Sequence, residues 1–275
     1  MPPEVAEAQK VPANVYGRYV ALEQVGRGGL SQVHRAWDLE LGRVVALKIL
    51  ERRHDTRDRF IEEAQIAASL EHPSICAVYG AGQRAGVFYL AMQFVDGEPI
   101  DRAHRPLPAT LGLVRDVAVA LQYAHDQDVV HRDVKPGNIL VDRRGRAFLT
   151  DFGTAKEIHG DFGDEFTDFV LRGTPEFLSP EQARGAPSLD GRSDIYSLGA
   201  TLYALLVGRP PFGGMRDPEL LRAVVRDPVR PPRSFDPSLS LALEAVLLRA
   251  LEKDPADRFQ TADAFARVLD ALIGR

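Results

Sequence analysis

The chain has 275 residues, 45% hydrophobic and 27% charged, which are ordinary globular values and set aside collagen-like, coiled-coil and disordered readings. A formal net charge of −5 argues against a general binder of nucleic acid or of anionic membrane. The single cysteine, Cys76, excludes an internal disulfide and fits a reducing compartment, so a cytoplasmic location is expected.

Residues 1–16 are rich in Pro, Ala and Glu without a period and are expected to form a frayed, flexible extension. Short strands follow at 19–25, 32–37 and 44–50, with turns at 26–29 and 41–42. Asp55 is placed to cap a helix reaching about Leu70, with Phe60, Ala64 and Ala67 on one face. Strands at 75–80 and 87–95 complete a small, mostly antiparallel lobe of five strands and one helix over 17–95.

Asp96-Gly97 reads as a break, and a second lobe is expected over 96–275. A helix is predicted at 109–127, where Leu111, Val114, Ala118 and Leu121 recur at helical spacing. Short strands flank 139–141 and 147–150. The stretch 151–181 has little periodicity, and loops of that length in compact domains are usually functional. Helices return at 193–207, 218–226, 239–251 and 261–273. No apolar run approaches the roughly 18 residues of a membrane helix, and no basic, then apolar, leader opens the chain. Neither a membrane segment nor a secretory signal is therefore expected.

Gly26-Arg27-Gly28-Gly29-Leu30-Ser31-Gln32-Val33 sits between strands, where glycines let backbone N–H groups approach phosphates. A dinucleotide fingerprint would need a helix directly afterwards, and a Walker loop would need Gly-Lys-Ser/Thr; neither is present. Lys48 lies in an apolar strand and calls for a carboxylate partner, for which Glu63 on the next helix is the candidate. Lysine is scarce, at 10, 48, 135, 156 and 253 only, and a compact ammonium is not interchangeable with arginine at a crowded phosphate. His131-Arg132-Asp133-Val134-Lys135-Pro136-Gly137-Asn138 is the densest cluster of chemistry. Asp133 can accept a hydroxyl proton, Lys135 can neutralise a phosphoryl group, and Asn138 and Asp151 offer hard oxygens suited to Mg²⁺.

In this order and spacing, these motifs resemble the eukaryotic-like serine/threonine protein kinases found in bacteria. The resemblance rests on Gly26-x-Gly28 with Val33, Val45-Ala46-Leu47-Lys48, Glu63, His131-Arg132-Asp133 with Lys135 and Asn138, and Asp151-Phe152-Gly153. It extends through Gly173-Thr174-Pro175, Ser179-Pro180-Glu181, Asp194 and Arg258, over about residues 16–273. It implies an α+β, two-lobed protein kinase fold: a small antiparallel five-stranded N-lobe with one regulatory helix and a larger, mainly helical C-lobe.

The resemblance also implies ATP- and Mg²⁺-dependent phosphorylation of protein serine and threonine hydroxyls, with Mn²⁺ as a substitute. Lys48, held by Glu63, binds the α- and β-phosphates; Asp133 is the base; Lys135 contacts the γ-phosphate; Asn138 and Asp151 bind the metal. Val25, Gly26, Gly28, Ser31 and Val33 cover the nucleotide. Val33, Ala46 and Leu140 enclose adenine, with Met92 as gatekeeper and 93–95, from Gln93 to Val95, as hinge. Glu181 and Arg258 form a buried ion pair, and Asp194 braces the catalytic-loop backbone. Lys135 and Thr174 favour Ser/Thr over Tyr acceptors.

Three departures stand out. Ser31 replaces the third loop glycine and is expected to stiffen the loop or weaken nucleotide binding. The segment between Lys48 and Glu63 is short for the family, and so is 101–109, where the first helix after the hinge is expected to shrink to a turn.

Two other functions compete. A small-molecule phosphotransferase typically lacks the long segment ending in a Pro-Glu anchor, which this chain has. A pseudokinase scaffold normally lacks the strand lysine, the catalytic aspartate or the metal aspartate, and all three are here. The expected partners are protein substrates, with no nucleic acid and with a kinase homodimer for trans-autophosphorylation. Thr167 is the expected autophosphorylation site, its phosphate paired with Arg132 and Lys156. In the competing reading, Asp161, Asp164, Glu165 and Asp168 already supply the negative charge, and the kinase is constitutively active.

Overall fold

Val45, Leu47 and Ile49 alternate with Ala46 and Lys48, yet all five are buried, as in a strand covered on both faces. In a computed structural model that describes residues 2–27, 31–50, 57–152, 175–215 and 217–274, this strand is central to a six-stranded antiparallel sheet. The strands are β1 (Val15–Tyr16), β2 (Tyr19–Arg27), β3 (Ser31–Asp38), β4 (Arg43–Leu50), β5 (Val78–Arg84) and β6 (Val87–Gln93), in the order β1-β2-β3-β4-β6-β5. One face of the sheet packs Val45, Leu47 and Ile49 with Tyr19, Ala21, Ala36, Tyr89 and Ala91. On the other, Ala46, Leu90 and Met92 meet Ala64 of helix α2 (Arg57–Ser69). The β5–β6 hairpin turns on Ala85 and Gly86, with φ of 48° and 82°, the paired left-handed geometry of a tight two-residue turn.

The chain folds as two compact units, Met1–Asp96 and Gly97–Arg275. The second begins with β7 (Gly97–Pro99), which pairs with β8 (Ile139–Asp142), itself paired with β9 (Ala147–Leu149). Helix α3 (Leu107–His125) buries Leu111, Val114, Ala118 and Leu121, the stripe expected from its period. It packs against α5 (Gly191–Val207) and α8 (Ala262–Ile273). Short α4 (Pro180–Ala183), α6 (Asp217–Arg226) and α7 (Leu241–Ala250) complete the described α-helices of this unit. Ser240 and Thr261 cap α7 and α8 by accepting from the backbone N–H groups of Leu243 and Ala264. Among the described residues, no helix is long and apolar enough to cross a membrane.

Two expectations are corrected. Residues 1–16 are not without regular structure: α1 (Pro3–Gln9) lies against β2, and its Val5 is fully buried. Side-chain contacts hold the segment in place. Glu4 pairs with Arg35 at 3.1 Å, and Arg84 donates to the carbonyls of Pro12 and Ala13. A single buried valine leaves no period to read. The same segment supplies β1, so the five expected strands are joined by a sixth. At 101–106 the chain turns without forming a helix, as expected from its shortness, and α3 starts two residues early, after Pro106.

Candidate active site

The candidate residues lie in two sets, one in each unit. In the first, the register aligns Lys48 with Val33 on β3 and Leu90 on β6, and Ala46 with Met92. Val33, Ala46, Lys48 and Met92 therefore share one sheet face, and Lys48 is 5% exposed. Val25 is half exposed on β2, Gly26 pairs with Val33, and Ser31 opens β3. Gln93 closes β6, its N–H donating to the Ala77 carbonyl at 2.8 Å; Val95 is buried. Glu63 is in α2, but its side chain lies outside the described residues, as do Gly28, Gly29, Leu30, Asp55, Gly153, Lys156, Thr167, Gly173 and Thr174.

The second set is built on the loop between α3 and β8. Asp194, fully buried on α5, accepts from the N–H groups of His131 and Arg132, both at 2.8 Å. His125, the last residue of α3, places Nε2 2.8 Å from the same carboxylate. Gly191 makes room for that ring, since a Cβ there would overlap it. Burial opposes ionisation of Asp194 most strongly. The hydrogen bond from His125, the electrostatic pull of the two imidazoles and the hydrogen bond from the His131 N–H together outweigh it and hold the carboxyl below its ordinary value. The expected bracing by Asp194 thus takes the form of two backbone hydrogen bonds.

His131 is also fully buried. Its Nδ1 accepts from the Asp133 N–H at 3.2 Å, so Nε2 carries the proton and donates to the Thr150 carbonyl at 2.8 Å. That ties the loop to the chain just before Asp151, whose neighbour Phe152 packs edge-on to the His131 ring at 4.5 Å. Arg132 and Asp151 have φ of 70° and 68°, a left-handed backbone that costs free energy in non-glycine residues and clusters at functional sites.

Asp133 emerges from this frame with its carboxylate about one-quarter exposed. Lys135 Nζ donates to both of its oxygens, at 2.9 and 2.8 Å. Asn138 Nδ2 donates to the Asp133 carbonyl and to Oδ2, both at 2.8 Å. Because both amide protons go to Asp133, the amide oxygen is what Asn138 has to offer a cation. That oxygen and the Asp151 carboxylate are both of the hard kind that Mg²⁺ prefers. Leu140 follows on β8, opposite Phe148. A cavity of about 390 Å³ in this unit is lined by Pro136 of the loop and by Phe177, Thr110 and Ala204.

Glu181 on α4 meets Arg258 through two parallel bonds of 2.8 Å. Arg258, fully buried, uses its remaining donors on the carbonyls of Arg192, Glu252 and Lys253, so all five of its N–H groups are bonded. His125, Thr150 and Gln182, which hold this loop, belong to none of the motifs legible in the sequence. His125 carries a faint signal, as a histidine in the last turn of the helix predicted at 109–127, six residues before His131.

A family model described as protein kinase domain matches residues 19–268. The chain is 40% identical over 277 residues to a probable serine/threonine-protein kinase, SCO3848, of Streptomyces coelicolor, across 95% of this chain and 41% of that protein. It is 42% identical over 266 residues to the serine/threonine-protein kinase PknB of Mycobacterium tuberculosis, across 91% of this chain and 42% of that protein. A probable serine/threonine-protein kinase of Corynebacterium efficiens is 38% identical over 273 residues, 93% of this chain and 41% of the relative. The chain spans about two fifths of the length of these relatives.

Proposed function

The chain belongs to the protein kinase family, and from that premise we propose that it transfers the γ-phosphoryl group of ATP to serine and threonine hydroxyls of protein substrates. The observation that carries the reading is the Asp133 carboxylate, part-exposed and gripped by Lys135 and Asn138 on a backbone fixed by Asp194 and His131. Asp133 orients the acceptor hydroxyl and takes its proton. Lys135 sets its ammonium against the negative charge of the transferring group. Phosphoryl transfer needs little covalent help from a protein, so positioning and charge compensation are the chemistry required.

Lys48 is assigned to the α- and β-phosphates, a role supported by its burial on the face it shares with Val33, Ala46 and Met92. Asn138 and Asp151 would hold Mg²⁺, or Mn²⁺ in its place. When bound, the cation would offset negative charge on the phosphates. Incubating the chain with ATP, Mg²⁺ and a peptide bearing one serine or threonine should give stoichiometric phosphopeptide, and excess chelator should abolish it. Transfer that persists in chelator would remove the metal assignment. ATP turnover indifferent to peptide would favour another phosphotransferase.

Thr167 is proposed as the autophosphorylation site, modified in trans by a second copy and paired with Arg132 and Lys156. Mass spectrometry after incubation with Mg-ATP should find phosphate on Thr167, and Thr167→Ala should slow peptide phosphorylation. An unmodified Thr167 and a fully active alanine variant would leave the acidic residues of 161–168 as the activating charge.

A further inference from the structure

Gln182 on α4 is 1% exposed, and both ends of its side-chain amide are in use. Oε1 accepts from the Ser179 N–H at 3.0 Å, while the Ser179 hydroxyl accepts from the Gln182 N–H at 3.2 Å, a reciprocal cap on the helix start. Nε2 leaves the helix and donates to the Arg132 carbonyl at 2.6 Å, 50 residues earlier in the chain. Arg132 immediately precedes Asp133 and holds the left-handed φ of 70°. The peptide group joining these two residues is thus gripped at its oxygen by Gln182 and at its N–H by His131 Nδ1. Rotation of that group would swing the Asp133 side chain, because the Cα of Asp133 is one of its six planar atoms.

The cap alone does not call for glutamine. Glutamate at the same position completes a capping box equally well, since the cap uses only the side-chain oxygen. Only the bond to Arg132 needs the N–H donor. We propose that Gln182 is a positioning residue for phosphoryl transfer: its amide couples the seating of residues 179–183 to the orientation of the Asp133 carboxylate. The proposal rests on the reading of Asp133 as the catalytic base.

Gln182→Glu separates the two roles. The introduced carboxyl keeps the acceptor for Ser179. When ionised it has no donor for the Arg132 carbonyl; when protonated it regains one. Ionisable groups on the elements packed there include Glu181, paired with Arg258; Asp194, bonded to His125 and to two backbone N–H groups; His131, Arg132 and Asp133 of the loop itself; Arg184 at the end of α4; and Glu219, Arg222 and Arg226 of α6, which packs on α4.

The experiment measures single-turnover transfer to peptide for wild type, Q182E, Q182M and D133N across about pH 6 to 8.5, with peptide KM and melting temperature alongside. Relative to wild type, Q182E should be about 3- to 10-fold slower at the alkaline end and recover as pH falls. Q182M, which lacks both the donor and the cap's acceptor, should be slower by at least a similar factor at every pH with peptide KM unchanged, and it keeps the proposal open to refutation if the carboxyl prevents folding. A Q182E rate equal to wild type throughout, or a deficit that does not change with pH, would overturn the proposal, as would a wild-type rate in Q182M. An active D133N would instead overturn the assignment of the base.

Discussion

Asparagine in place of Asp133 should slow phosphoryl transfer on the order of 10²–10³-fold while leaving ATP affinity close to wild type. The substitution preserves shape and removes the carboxylate that accepts the hydroxyl proton. The surrounding frame does not depend on that side chain. Asp194 still holds the His131 and Arg132 N–H groups, His131 still accepts from the residue 133 N–H, and Asn138 still donates to its carbonyl. Lys135 loses its ion-pair partner but keeps one oxygen to bond, so the local fold should survive. The check is kcat on a serine or threonine peptide beside nucleotide affinity by calorimetry. Retained turnover would show that the proton leaves by another route, and lost nucleotide binding would show that the substitution acted through structure.

Removing either partner of the Glu181–Arg258 pair should destabilise the chain by about 3–5 kcal/mol, because one charge is left buried and unpaired. For a chain of this size that lowers the melting temperature by about 6–20 °C. Arg258→Leu should cost more than Glu181→Gln, since it also orphans the carbonyls of Arg192, Glu252 and Lys253. For the same reason, leucine at both positions should recover only part of the loss. Burial pushes the Glu181 carboxyl up, but the hydrogen bond and charge of Arg258 outweigh it and leave the carboxyl below its ordinary value. The pair's stabilisation is therefore present above the unfolded carboxyl's pKa and is lost as pH falls through the lower folded value. Arg258→Leu should blunt that acid limb. Thermal scans at neutral and acid pH read both effects, and a shift of only a degree or two at neutral pH would show that the pair contributes little.

Much of this molecule is legible before any coordinates. Helix α3 shows in the spacing of Leu111, Val114, Ala118 and Leu121, because a period of 3.6 records the buried face, and β4 shows in the unbroken apolar run Val44-Val45-Ala46-Leu47, because both of its faces are covered. What escapes is held by few residues or by polar groups distant in sequence. β7 is Gly97-Glu98-Pro99, three residues with no alternation to detect. α1 has one buried side chain. The site follows the same division. Asp133, Lys135 and Asn138 sit within six residues and announce a chemistry together, whereas Gln182 reads only as the end of a Ser-x-x-Gln helix start. Nothing local says that its other end reaches Arg132.

The N-terminal segment has a bearing on where the chain can be cut. β1 pairs Val15 with Val20 and Tyr16 with Tyr19, so the opening of β2 is an interior strand of the sheet. Trimming the chain to start at Tyr19 would turn that stretch, with Tyr19, Val20 and Ala21 all now buried, into a bare apolar sheet edge. Edges of that kind recruit strands from other molecules. The two residues of β1 thus close one edge of the sheet that β2 would otherwise leave open.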